Sequence, residues 1–391
     1  MDNKLKRILI IVIIILIIAL IGLLVYNFLI KKSTTQENEG GGLPEGQQNE
    51  ENGAVEEEEN IQPQSEVRIK TISQEPVFSP TMTSDKTKIV YYFRSNGNVW
   101  QSNFDGSDLS QTSTIILENL VKVIWSPDKN KVITIFQDNL ENISKYFYSY
   151  TTQKALPLDK YINYITWSPD SKKIAYQYQN DFTDNNNIST ANPDGTKYTT
   201  LLKTRMKNLI VEWPKGSDIF LREKPSGIAQ SSLYSLNTLS KSFNNIMPNV
   251  YGLSVKWSSE GNKILYSKTN SKGGSIGIFI ADRNGTNEKS ANIQTLAEKC
   301  AWSQDTRYIY CAIPKNIADA RILPDDFYKG TFIGDDELYK INIGTGEKIN
   351  ILEKESLIET FDAIDLFLSP QENYLFFVNK NNGLLYSIKL D

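Results

Sequence analysis

Carboxylates are the first residues in this chain whose type and placement could do chemistry. Asp181, Asp184, Asp325, Asp326, Asp335 and Asp336 all fall in segments rich in turn-forming residues. Two such groups on opposite sides of a sugar linkage would make a general acid and a base or nucleophile, the equipment of a hydrolase or lyase acting on surface polysaccharide. Acids in loops are also commonly just solvated, and spacing singles out no pair among these six. The 391 residues contain no histidine, which removes the commonest general base, every Ser-His-Asp or Cys-His site, and any His-ligated zinc centre. The letters Gly273-Gly274-Ser275-Ile276-Gly277 match a nucleophile elbow, but a β-rich run follows them where an elbow needs a helix, and they read as a hairpin loop. No catalytic residue, cofactor site or metal site is assigned. The Asn/Asp-rich run from Asp181 to Asn187 lacks the spacing of an established calcium loop.

Sulfur chemistry rests on Cys300 and Cys311. If Trp302 faces Ile309 across a hairpin, the two cysteines are direct cross-strand neighbours, and either a disulfide or two buried thiols would fit there.

These residues are positioned by a repeat. Trp125, Trp167, Trp213, Trp257 and Trp302 recur every 42 to 46 residues, most of them in a Trp-Ser-Pro-Asp phrase. A period of that length marks a β-propeller, in which each copy is one small antiparallel sheet. Phe78-Ser79-Pro80 and Leu368-Ser369-Pro370 read as two further anchors without the indole, which makes seven. Pro cannot donate to a ladder and the following Asp favours a turn, so the phrase ends an inner strand, with the Trp packed between blades. The last period stops after its third strand, while a spare β-rich segment, 67–72, precedes the first anchor. That segment is expected to complete blade seven and latch the ring. The fold class is therefore all-β: a seven-bladed propeller of four-stranded antiparallel blades over residues 66–391.

The stretch from Trp167 to Tyr176, Trp-Ser-Pro-Asp-Ser-Lys-Lys-Ile-Ala-Tyr, resembles the TolB-like (WD-type) β-propeller repeat, and the resemblance covers roughly residues 66 to 391. It implies interaction more than catalysis, since such rings include periplasmic partners of envelope complexes and the gating propellers of some serine peptidases. The chain differs from TolB in having no α/β domain ahead of the ring, seven expected blades instead of six, and an apolar segment near its start.

That segment, residues 8–30, is 23 residues without a charge, enough to cross the hydrocarbon of a bilayer as a helix. It exceeds the apolar core of a signal peptide and no small-x-small site follows it, so it reads as a signal anchor. Residues 1–7 carry Lys4, Lys6 and Arg7, which favours a cytoplasmic N-terminus and a ring on the outer side of the cytoplasmic membrane. Residues 31–65 follow as an acidic linker; from Ser33 to Ser65 there are nine Glu and no Lys or Arg, a composition that reads as a disordered spacer or, alternatively, a docking tail. Residues 66–391 then carry a net charge of about +1, which offers no basic surface for nucleic acid.

The connections between second and third strands are long in several copies and should share one mouth of the ring. The longest is a blade-six insertion at 313–336, with Arg321, Asp325, Asp326, Phe327 and Tyr328. With Asp181 and Asp184 these form the candidate binding face; the insertion could equally serve only to cover blade six. The reading is a non-catalytic scaffold of the cell envelope, taking a protein or surface-glycan partner at the mouth, with the polysaccharide hydrolase or lyase as the alternative. Nothing in the sequence sets the oligomeric state.

Overall fold

The computed structural model describes residues 68–317, 320–352 and 359–390. The expected membrane segment 8–30 and linker 31–65 lie outside the described residues. No helix among the described residues is long and apolar enough to cross a membrane.

Seven four-stranded antiparallel sheets follow one another, each ordered from an inner to an outer strand. Blade seven is closed by the first described strand. Ile69–Thr71 pairs with Leu385–Lys389 in the register Ile69↔Ile388, Lys70↔Ser387 and Thr71↔Tyr386. Ile72 extends the latch by donating its N–H to the Leu385 carbonyl at 2.7 Å.

Seven hydrophobic clusters alternate with the seven sheets, because each second strand buries both of its faces. In Ile89–Phe93, for example, Ile89, Tyr91 and Phe93 pack toward blade seven, while Val90 and Tyr92 pack toward blade two. A strand buried on both sides is apolar at most positions, which explains the near-continuous runs in the sequence.

The repeated phrase is a set of hydrogen bonds. Ser126, Ser168 and Ser303 each bond the Asp two residues on, and each accepts the backbone N–H five residues on. Three indoles staple neighbouring blades: Nε1 donates from Trp125 to the Ser79 carbonyl (2.9 Å), from Trp167 to Ile124 (3.0 Å) and from Trp302 to Lys256 (3.1 Å), while Trp257 Nε1 has no partner among the described residues. Trp213, the one Trp followed by a departure from the Ser-containing phrase, bonds only its own turn at Gly216.

One anchor differs from expectation. Phe78-Ser79-Pro80 lies inside the inner strand Val77–Met82, where a register shift falls between Phe78 and Thr81. The blade-one turn is made by Met82-Thr83-Ser84-Asp85: Met82 pairs with Ile89 as Trp125 pairs with Val132, and Thr83 bonds Asp85 and the Lys88 N–H as Ser126 bonds Asp128 and Lys131. Thr fills the role of Ser, so the phrase is chemically intact although no letter but Asp remains.

Candidate functional site at the ring mouth

Inner strands line the ring axis, and several are distorted there. Ser79, Tyr164 and Asp365 have φ of 47°, 50° and 53°, each inside a register shift of its inner strand. Left-handed backbone at non-glycine residues costs about 1–3 kcal/mol each and persists only where surroundings impose it, often at sites that re-aim a side chain. Here the Ser79 hydroxyl bonds the Val123 carbonyl at 2.7 Å, the Tyr164 hydroxyl reaches Asn208, and the Asp365 carboxylate acts on both Arg94 and Lys256.

A mixed-charge group extends this lining. Arg222 lies 3.2 Å from Glu212 and feels Glu298; burial works to lower its pKa, and the two carboxylates outweigh it. Glu298 also accepts hydrogen bonds from Ser254 and from the Tyr328 hydroxyl. Burial, then Glu298, pushes the Tyr328 hydroxyl well above its ordinary value, although the ring itself is half exposed. Burial lowers Lys256, opposed by Asp365 and Glu298. Cations and carboxylates therefore compensate one another around the opening.

The blade-six insertion covers part of it. The strands flanking it end at Pro314 and begin at Asp336, and between them runs the short helix Asp325–Lys329. Leu323, Phe327 and Phe332 bury against Ile276 and Leu296, with Ile364 of the blade-seven inner strand beside them. The insertion crosses blade five to reach blade four: Asp325 accepts from Ser226 and from the Gly227 N–H (2.7 Å), and Leu323 donates to the Gly273 carbonyl (2.8 Å). Gly227 has to be glycine, since a Cβ there would sit 2.2 Å from the Leu323 carbonyl oxygen.

Its base is fixed by buried ions. Lys299, fully buried, contacts Asp362 and lies 2.7 Å from Asp336. Burial raises Asp336 to about 6, against the pull of Lys299 and the Ala363 N–H. Lys380 donates to the Phe327 carbonyl at 2.8 Å and sits 3.9 Å from that ring's centre, with Lys299 at 5.5 Å.

The residues expected at the binding face separate into two groups. Asp325 and Asp326 hold the insertion together, Asp326 by accepting the N–H groups of Arg321 and Ile322. Phe327 is buried, while the Arg321 and Tyr328 residues are exposed. Asp181 and Asp184 belong to the blade-three connection, Asp181 paired with Lys207 at 2.8 Å and Asp184 lining a shallow hollow with Lys203 and Arg205. Nothing brings these two acids to the insertion. Glu298, Arg222, Lys256 and Asp365 were not expected. For Asp365 alone a signal existed, since it stands three residues before the end of its inner strand, as Ser79, Lys122 and Tyr164 do in theirs.

Cys300 and Cys311 are paired in register, 4.1 Å apart at Cα, and joined as a disulfide. Among the described residues, no group of three or more Cys, Asp or Glu side chains is placed to hold one metal ion.

No protein-family model matches the chain, and no curated protein matches it in sequence. Its shape is similar to many solved structures. An oligogalacturonate lyase in complex with manganese overlays with a TM-score of 0.59 at 11% identity, over 83% of this chain and 93% of that one. The Cps50 (Swd1) β-propeller domain of Myceliophteria thermophila overlays at 0.53 and 11% identity, over 83% and 100%. TolB from Acinetobacter baumannii is also similar, at 0.45 and 13% identity, over 72% of this chain and 64% of that one. An oligogalacturonate lyase and a Cps50 (Swd1) β-propeller domain thus share the shape, and the chain stands among β-propellers by its fold alone.

Proposed function

We propose that the chain is a non-catalytic binding module of the cell envelope that takes a protein partner at the ring mouth. One observation carries this reading. Leu140, Phe182, Ile228, Tyr328 and Ile333 are between 47% and 90% exposed, and every one lies on a connection between second and third strands, on the same mouth. Apolar side chains held out in water on a rim of polar loops are the composition of a protein-binding surface. Among the charged groups beneath them, Arg222 is paired with Glu212, and Glu298 is held by Ser254 and Tyr328. The acid raised toward neutrality, Asp336, is buried under the insertion and out of reach of a substrate. The segment 8–30 would hold the ring to the outer side of the cytoplasmic membrane, with 31–65 as its tether.

Photo-crosslinking on intact cells tests this, with Phe182→p-benzoylphenylalanine and Ile333→p-benzoylphenylalanine against Leu239→p-benzoylphenylalanine, an exposed position on the opposite face. The two mouth positions are expected to capture one common protein that position 239 does not. Equal capture from 239, or none from the mouth, would overturn the reading.

A second reading is a lyase of surface polysaccharide in which Lys256, beside Asp365 and Glu298 in the opening, would take the proton; burial lowers its pKa, in the direction such a role needs. Formation of an unsaturated uronate from a polyuronate, followed by ultraviolet absorbance and abolished by Lys256→Met, would establish it against the binding module.

A further inference from the structure

Blades one and two part at the perimeter of the ring and leave a cleft of about 1080 Å³, away from the central opening. Side-chain size explains the gap. The buried part of the cluster between these blades stops at Val99 on one side and Val132 on the other, whereas the cluster between blades four and five reaches the outer strand through Met247. Toward the perimeter the lining is Gln111, whose amide turns back onto the Ser113 carbonyl, and Ser113 of one blade and Ala155 of the next, which leaves the gap unfilled. The floor is aromatic: the Tyr92 and Tyr150 hydroxyls bond each other, and Tyr150 stacks on Trp125 at 5.6 Å. Ile115, Ile116, Ile143 and Tyr146 stand exposed at or beside the rim. The segment carrying Ile115 and Ile116 is held by Leu117, whose N–H donates to Asn96 and whose side chain packs where Gly97 (φ +71°) has no Cβ.

We propose that this cleft is a second binding site, for an extended peptide of a partner protein that carries apolar side chains at alternate positions and a basic residue beside Glu118. Aliphatic and aromatic walls suit peptide side chains, and the neutral amides and hydroxyls of Gln111, Thr112, Asn142 and Gln153 suit a peptide main chain. Charge sets the sign. The lining includes no Lys or Arg, and of its two acids Asp138 is occupied by the Leu140 and Asn142 N–H groups, which leaves Glu118 exposed for a cation.

The test is selection of displayed decapeptides on the full-length protein, with one library arm fixed for Lys or Arg and another for Glu, counter-selected on Ala155→Trp. Ala155 is exposed, so the indole fills the cleft without displacing a buried contact, and retained thermal unfolding confirms the fold. Peptides with alternating apolar residues and a basic residue are expected to enrich, to lose at least tenfold in affinity on Ala155→Trp and on Tyr146→Ala, and to switch to the Glu arm on Glu118→Lys. Binding that survives Ala155→Trp, a charge preference indifferent to Glu118→Lys, no enrichment in either arm, or displacement of the peptides by neutral oligosaccharides would each overturn the proposal. None of these outcomes depends on what the central mouth binds.

Discussion

Replacing Lys299 by methionine keeps the apolar stem and deletes the cation between Asp336 and Asp362. At an effective dielectric of about 20, the 2.7 Å contact with Asp336 corresponds to roughly 6 kcal/mol of gross attraction. Desolvating three charged groups takes back much of that. What the substitution leaves, however, is two buried carboxylates without their cation, and such a removal costs about 3–5 kcal/mol. Asp336 Oδ1 and Asp362 Oδ2 already lack a hydrogen-bond partner, so there is no slack to absorb the loss. Lys380, 3.9 Å from Asp362, moderates it and places the expectation near the lower end, about 3 kcal/mol.

The pH dependence gives the sharper result. A carboxyl that titrates at about 6 in the fold and near its ordinary value in the unfolded chain works against folding at neutral pH, and that burden is relieved as pH falls through 6. Without Lys299 the burden grows, because the attraction that opposed burial is gone. Urea unfolding of Lys299→Met against the parent protein should therefore show the full defect at about pH 8 and a clearly smaller one at about pH 5. A defect below about 1 kcal/mol, or one equal at both pH values, would refute the assignment of Lys299 as the charge that makes this burial tolerable.

Two further substitutions test how the ring is held. Cys300→Ala with Cys311→Ala opens a loop of sequence separation 11 and should cost about 3 kcal/mol by loop-closure entropy, measured by urea unfolding, with an unchanged midpoint counting against a bond that constrains the chain. Trp167→Phe leaves the Ile124 carbonyl without its donor and should cost about 1–3 kcal/mol, whereas Trp213→Phe, whose indole bonds only its own turn, should cost less than about 1 kcal/mol; equal losses would show that the interblade bond is not what the repeat preserves.

The architecture was legible because its determinants are local and repeated. A Ser or Thr that bonds two and five residues ahead recurs in four blades, and a mostly apolar second strand recurs in all seven, each within a short window of sequence. Blade one shows where that legibility fails. Its turn keeps the bonding through Thr83 and Asp85 but has Met82 in place of the indole, and a nearby Phe-Ser-Pro imitates the phrase within the strand itself. Spelling and chemistry had separated, and only the hydrogen bonds identify the equivalent residues.

The site was less legible for a different reason. Asp325 meets Ser226 across 99 residues of chain, and Lys299 meets Asp362 across 63. No window contains both partners, so the acids of the insertion looked free when they were already engaged. The same holds for Arg222 and Glu298, which belong to blade four and the entry to blade six and meet only because the ring closes.

Outside the insertion, three of the six connections on this mouth, in blades two, three and four, carry one exposed apolar residue each, Leu140, Phe182 and Ile228. The insertion departs from that pattern. Its acids and Phe327 hold it across blade five and against blades four and seven, so it behaves as a fixed part of the wall and not as a mobile arm. Rigidity has a consequence for recognition. A partner meeting Tyr328 and Ile333 finds them already positioned, and little ordering entropy remains to oppose binding on this side of the mouth. The connections carrying Leu140 and Phe182 are held only locally, through Asp138 and the exposed Asp181–Lys207 pair, so residues from the insertion should contribute more affinity per unit of buried area than those on the opposite rim.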